Sequence, residues 1–148
     1  MIILLVEDDP AHAEIVRRTF DGIREANLIC GVTDGRAALD YLQHTGAYAD
    51  VEKWPRPGLI LLDLRLPKVS GLEVLRTVKS SEVSKDIPVV MLTTSASDRD
   101  IAQAYEHGAN SYLIKPVGFD EFRNLMKSFI CFWLQWNQYP VSMTDAAE

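Results

Sequence analysis

Four places in the chain put residues capable of chemistry directly after a short apolar run. Glu7, Asp8 and Asp9 follow Ile2 to Val6, and Asp63 follows Leu59-Ile60-Leu61-Leu62. Thr93 and Thr94 follow Ile87 to Leu92, and Lys115 follows Ser111 to Ile114. Three or four carboxylates brought together cannot all stay ionised without a partner. A hard divalent cation with oxygen ligands resolves that repulsion, and Mg²⁺ suits a site that offers few carboxylates plus waters. An ammonium beside the cation would neutralise the anionic oxygens of a bound phosphoryl group, and a threonine hydroxyl could donate to another of them. Carboxylate nucleophile, cation, ammonium and hydroxyl are the parts needed for phosphoryl transfer to an aspartate. Each residue also has a plainer use. Asp9 ahead of Pro10 fits a helix N-cap; Lys115 alone reads as a surface lysine, and Thr93 alone as a strand-end hydroxyl. The signal lies in their joint placement at four strand ends.

The elements that position them alternate strictly. The run Ile2 to Val6 is wholly apolar, as a strand covered on both faces requires. Ala11, Ile15, Val16 and Phe20 give the following helix its apolar face. Leu28 to Val32 reads as a second strand, and Asp34-Gly35 opens a helix through Leu39 and Leu42. From His44 to Gly58, the breakers Gly46, Pro55, Pro57 and Gly58 predict a long loop. Ser70 and Glu73 have capping-box spacing for a third helix, Ser97 and Asp100 for a fourth, and Gly108 suits the residue just past that helix's end. A last helix is expected from about Phe119 to Trp136. Near-continuous Val, Ile and Leu strands between helices argue for a doubly wound, five-stranded parallel α/β sheet with right-handed connections. Ligands bind such sheets at the carboxyl ends of the strands, where these candidates fall.

Composition narrows the classes. With 148 residues, 47% hydrophobic and 24% charged, the chain fits one domain with a real core. The longest apolar runs fall far short of the roughly 20 residues that span a bilayer, and no export signal is evident, so a cytoplasmic protein without membrane contact is expected. Cys30 and Cys131 form no framework or metal motif and read as buried reduced thiols. Twenty-one acidic against 15 basic side chains, net charge -6, argue against a nucleic-acid surface.

The motifs Leu5-Val6-Glu7-Asp8, Leu61-Leu62-Asp63-Leu64-Arg65-Leu66-Pro67, Gly71, Leu92-Thr93-Thr94 and Tyr112-Leu113-Ile114-Lys115-Pro116 resemble, in order and spread, the receiver domain of two-component response regulators. The resemblance implies a flavodoxin-like (βα)5 fold with strand order 2-1-3-4-5, one of the common doubly wound orders. It further implies that Asp63 accepts a phosphoryl group from a histidine kinase. Mg²⁺, with Mn²⁺ able to substitute, would be held by Asp8, Asp63, the backbone carbonyl of Arg65 and, through a water, Glu7. Thr93 and Lys115 would contact the phosphoryl oxygens, Thr93 and Tyr112 would form the switch, and the bond to Pro116 would be cis. Arg65 stands where many receivers have Asn, so its guanidinium bears on the lifetime of the phosphoaspartate. The implied protein is a phosphoacceptor with self-catalysed phosphorylation and dephosphorylation, not a turnover enzyme.

Residues 1–136 are expected to form the receiver and residues 137–148 a tail, with no output domain, so output would run through docking. On a regular helix Phe122, Met126, Phe129, Ile130 and Trp133 share one face, which Leu125, Phe132 and Trp136 widen to roughly 160°. That is more than one sheet face covers, and Phe122, Phe129, Phe132, Trp133 and Trp136 are the expected homodimer interface. The long loop, the Leu92-Thr93-Thr94-Ser95 turn and the Phe132-Trp133-Leu134 ending resemble the single-domain receivers that serve bacterial and cyanobacterial phytochromes. The alternatives are a relay intermediate passing phosphate to a histidine phosphotransfer protein, and a small aspartate-nucleophile phosphatase. Such phosphatases place a second acid two residues after the nucleophile, where this chain has Arg65.

Overall fold

The computed structural model describes residues 1–22 and 28–140. Its strands are β1 (Ile2–Val6), β2 (Leu28–Val32), β3 (Leu59–Leu62), β4 (Val89–Thr93) and β5 (Ser111–Ile114), and its helices are α1 (Pro10–Asp21), α2 (Gly35–Gln43), α3 (Gly71–Ser80), α4 (Asp98–Glu106) and α5 (Phe119–Ile130). All strand pairs are parallel, in the order β2-β1-β3-β4-β5.

Side chains alternate across a strand, so each apolar run feeds two cores. Leu4, Val6, Ile60, Leu62, Val89 and Met91 face α2, α3 and α4, meeting Leu39, Tyr41, Val74, Leu75 and Val78. Ile3, Leu5, Leu59, Leu61, Val90 and Leu92 face α1 and α5, meeting Ile15, Val16, Phe20, Phe122, Met126 and Phe129. This is why β1, β3 and β4 carry no polar alternation: both of their faces are dry.

Side-chain caps fix where α1 to α4 begin. Asp9 accepts from the amides of Ala11 and His12, Asp34 from Ala37, Ser70 from Glu73 and Ser97 from Asp100. Gly108, at φ +97°, takes the left-handed turn after α4 that a side chain would resist.

Several expectations need correction. Phe122 and Phe129, expected at an interface, are buried in the α1–α5 core. The last helix is not regular to Trp136: α5 stops at Ile130 and Cys131–Trp136 continues as a π-helix. The π stretch changes the angular step, so the wide stripe divides. Its first part is core, Trp133 is half-buried against Phe129, and Phe132 and Trp136 are 53% and 74% exposed. No peptide bond among the described residues is cis, so Lys115–Pro116 is trans. The Lys115 amide donates to the Thr93 carbonyl at 2.7 Å, extending the β4–β5 ladder past the strand. Trans is the isomer that X–Pro bonds favour. Ala11 and Cys131 are exposed rather than buried, and both cysteines are free. The long loop holds a short 3-10 turn, Gly46–Tyr48. β4 begins at Val89 because Pro88 has no amide to give the ladder. Residues 141–148 of the expected tail lie outside the described residues.

Candidate functional site

Register brings the predicted residues to one edge. Val6 pairs with Leu62, and Thr93 pairs with Ile114. The residues that follow these pairs emerge together at the carboxyl end of the sheet. The Asp63 amide donates to the Val6 carbonyl at 3.0 Å and the Glu7 amide to the Val32 carbonyl at 3.1 Å, so both acids leave the sheet still held by it.

Glu7, Asp8 and Asp63 each place a carboxylate oxygen within 4.8 Å of the other two. Glu7 and Asp63 are buried, while Asp8 is exposed at the mouth. The Lys115 ammonium lies between the buried acids, 2.5 Å from Glu7 Oε1 and 2.9 Å from Asp63 Oδ2. Thr93, the last residue of β4, is 1% exposed. Burial pushes Glu7 up to about 7; the hydrogen bond and charge of Lys115 hold it down, and neighbouring Asp63 adds to the rise. Burial alone would lower the Lys115 ammonium, but its hydrogen bonds with Asp63 and Glu7 raise it above the ordinary lysine value. One ammonium thus balances part of the charge of three carboxylates. Oxygen-only donors with one open face fit a hard divalent cation.

The loop after Asp63 is held close by backbone contacts. The Gly71 amide donates to the Leu64 carbonyl at 2.8 Å, and a Cβ at Gly71 would stand 2.0 Å from the Asp63 carbonyl oxygen. Only glycine permits α3 to start so near the acid. The Arg65 amide points back to Asp63 Oδ1 at 3.4 Å, while its guanidinium reaches outward to Asp100 Oδ2, also 3.4 Å.

Three residues of this neighbourhood are additions to the predicted set. Ser95 links the two expected switch positions: its amide approaches Thr93 Oγ1 at 3.5 Å, and its carbonyl accepts the Tyr112 hydroxyl at 2.9 Å. Asp100, read from sequence only as part of a cap, accepts the Ser95 hydroxyl at 2.5 Å and thereby ties α4 to that turn. His12 places Nδ1 3.0 Å from Lys115 Nζ. A signal for His12 existed, because a residue in the first turn of a helix capped at a strand end faces that end. Ser95 and Asp100 carried none beyond their turn and cap roles. Of the predicted set, Glu7, Asp8, Asp63 and Lys115 converge, and Thr93 ends the neighbouring strand β4. Tyr112 stands behind Ser95, and the expected interface residues lie elsewhere.

Comparison with known proteins agrees with this geometry. The sequence profile of the response regulator receiver domain matches residues 3–127. The chain is 47% identical over 140 residues to the probable methanogenesis regulatory protein FilR2 of Methanothrix harundinacea, covering 94% of this chain and 87% of FilR2. It is 38% identical over 141 residues to the response regulator Rcp1 of Synechocystis, covering 95% and 94%. The Mn²⁺-bound structure of Rcp1 superposes with a TM-score of 0.89 at 38% identity, covering 95% of this chain and 99% of that one. The phosphorylated cyanobacterial phytochrome response regulator RcpA gives a TM-score of 0.89 at 37% identity, covering 94% and 97%. Carboxylates, lysine and threonine at the strand ends of a 2-1-3-4-5 sheet, with a profile match over most of the chain, place this protein in the response regulator receiver domain family.

Proposed function

We propose that the chain is a phosphorylation-controlled binding protein whose Asp63 takes a phosphoryl group from a sensor histidine kinase. One observation carries this reading: Asp63 sits at the sheet edge with Lys115 Nζ 2.9 Å from Oδ2 and two more carboxylates alongside. A carboxylate oxygen of Asp63 attacks phosphorus, the bond from phosphorus to the donor imidazole breaks, and the imidazole leaves with its electron pair. Glu7, Asp8, Asp63 and the Arg65 carbonyl would hold a divalent cation, Glu7 through a water; when bound, the cation neutralises charge on the phosphoryl oxygens. Rcp1, solved with Mn²⁺, supports that assignment. Lys115 shifts from the Asp63 carboxylate towards the incoming dianion, and Thr93 donates its hydroxyl to another oxygen.

Movement of Thr93 reaches Tyr112 through Ser95, which bonds to both. The face of α4, β5 and α5 is then the surface whose shape reports the charge on Asp63. Output is docking on other proteins, with no DNA contact and no steady turnover of an external substrate. Phe132 and Trp136, with Trp133 beneath, are the surface we assign to a homodimer. Likeness to RcpA supports a phytochrome-type kinase as donor, acting in the cytoplasm. Higher identity to FilR2 favours a second reading, in which the same chemistry answers a kinase with another stimulus.

The test is phosphotransfer from purified autophosphorylated kinases of the phytochrome type and of other types. Label should pass from a phytochrome-type kinase in Mg²⁺, stay stable in acid, hydrolyse in base and vanish in Asp63→Asn. Transfer only from kinases of another sensor class would move the assignment to the second reading. Absence of transfer from any, together with steady phosphate-ester turnover, would contradict both.

A further inference from the structure

We infer that His12 is a positioning residue for the phosphoryl site: it takes the third N–H of the Lys115 ammonium and fixes the direction in which that cation points. The inference rests on the reading of Asp63 as phosphoacceptor.

A lysine ammonium has three donors and no acceptor. The Lys115 side chain is 2% exposed, so each N–H needs a protein partner or its burial is costly. Two N–H groups go to Glu7 Oε1 and Asp63 Oδ2. The third meets His12 Nδ1 at 3.0 Å. Because the ammonium only donates, Nδ1 must accept, so the ring proton sits on Nε2. The neighbouring carboxylates lie farther from Nδ1, Glu7 Oε1 at 3.7 Å and Asp9 Oδ2 at 3.6 Å. The ring is held by its place in the first turn of α1 and by Phe122, whose centroid is 5.5 Å away on α5.

Phosphorylation changes one of the three partners of Lys115, and cation binding engages a second. Asp63 becomes an acyl phosphate, and its hydrogen bond must pass to a phosphoryl oxygen. Glu7 serves the cation site as well as the lysine. His12 alone stays the same in both states, a neutral acceptor fixed by packing. It anchors Nζ while the other two bonds are redistributed. Losing that anchor leaves the ammonium free to rotate or take up water, and small misplacements of a charge at a reacting centre cost rate.

The tests use the full chain. Phosphorylation by a small acyl phosphate with saturating Mg²⁺ should slow roughly tenfold or more in His12→Ala. His12→Asn, whose Oδ1 can stand in for Nδ1, should recover most of that loss, and Mg²⁺ affinity should change less than about twofold, since His12 supplies no ligand. In a Lys115→Met background His12→Ala should add nothing. Loss of the same size in that background, or failure of Asn to rescue, would overturn the inference. An independent arm reads the imidazole nitrogens by ¹⁵N NMR. Nδ1 should be unprotonated in the wild type, and its resonance should move in Lys115→Met. A protonated Nδ1, or one blind to Lys115→Met, would also overturn it. If wild type takes no phosphate at all, the phosphoacceptor reading fails, and the NMR arm still decides the hydrogen bond by itself.

Discussion

At the scale of single residues, the site is a matter of charge kept out of water. Glu7 and Asp63 are buried acids that share one buried ammonium, and burial raises Glu7 from 4.5 to about 7. In metal-free protein, folded Glu7 therefore holds a proton that the unfolded chain releases above pH 4.5. The associated stability is fully present below that value and is lost as pH rises through about 7. Cation binding draws on the deprotonated acids, so Mg²⁺ affinity should rise by up to about tenfold per unit as pH approaches the Glu7 value, then level off. Titration calorimetry at several pH values checks this, and a flat profile would contradict it. Lys115→Met removes the ammonium in contact with both acids and should cost about 3 kcal/mol in metal-free protein by denaturant unfolding. Added Mg²⁺ should restore part of that loss.

At the scale of elements, geometry is enforced by short backbone contacts and by caps. A Cβ at Gly71 would meet the Asp63 carbonyl oxygen at 2.0 Å, so Gly71→Ala must displace either α3 or the loop that carries Asp63. We expect about 2–3 kcal/mol of destabilisation by denaturant unfolding, with slower phosphorylation of the fraction that folds. α5 and its π-helical continuation should separate cleanly by mutation. Phe122→Ala, 2% exposed in the wild type, should cost about 3–5 kcal/mol, whereas Phe132→Ala should stay within about 0.5 kcal/mol. Equal costs would contradict the burial of Phe122 against the exposure of Phe132. The caps were legible because Asp9, Asp34, Ser70 and Ser97 each offer a short side-chain acceptor just ahead of an apolar period. The change to a π-helix at Cys131 was not, because period analysis assumes one angular step and Phe132, Trp133 and Trp136 all look apolar on any wheel. The trans Lys115–Pro116 bond was equally hidden, because a proline in the sequence allows either isomer.

At the scale of the whole molecule, parallel order turns distance in sequence into proximity. Glu7 and Lys115 are 108 positions apart in the sequence and in contact in the fold, and the rule that ligands sit at strand carboxyl ends makes that meeting legible in the sequence. What sequence could not reveal were the contacts of Asp100 with Ser95 and Arg65, because no period or motif orders such pairs; for His12 it offered a place at the right helix end but not the partner Lys115. Away from this edge, the exposed Phe132 and Trp136 are the apolar surface on which we place self-association. Light scattering should give a dimeric mass for wild type and a monomeric one for Phe132→Ala with Trp136→Ala, both folded; a monomeric wild type at high micromolar concentration would contradict the assignment. On the proposed function, this edge carries a transient phosphoryl group on one aspartate. The most direct measurement incubates the protein with a small acyl phosphate and Mg²⁺, then maps the modified peptide by mass spectrometry. One phosphoryl group is expected, on Asp63, absent without the metal and absent in Asp63→Asn. A phosphoryl group on any other residue, or none on a folded, metal-loaded protein, would contradict it.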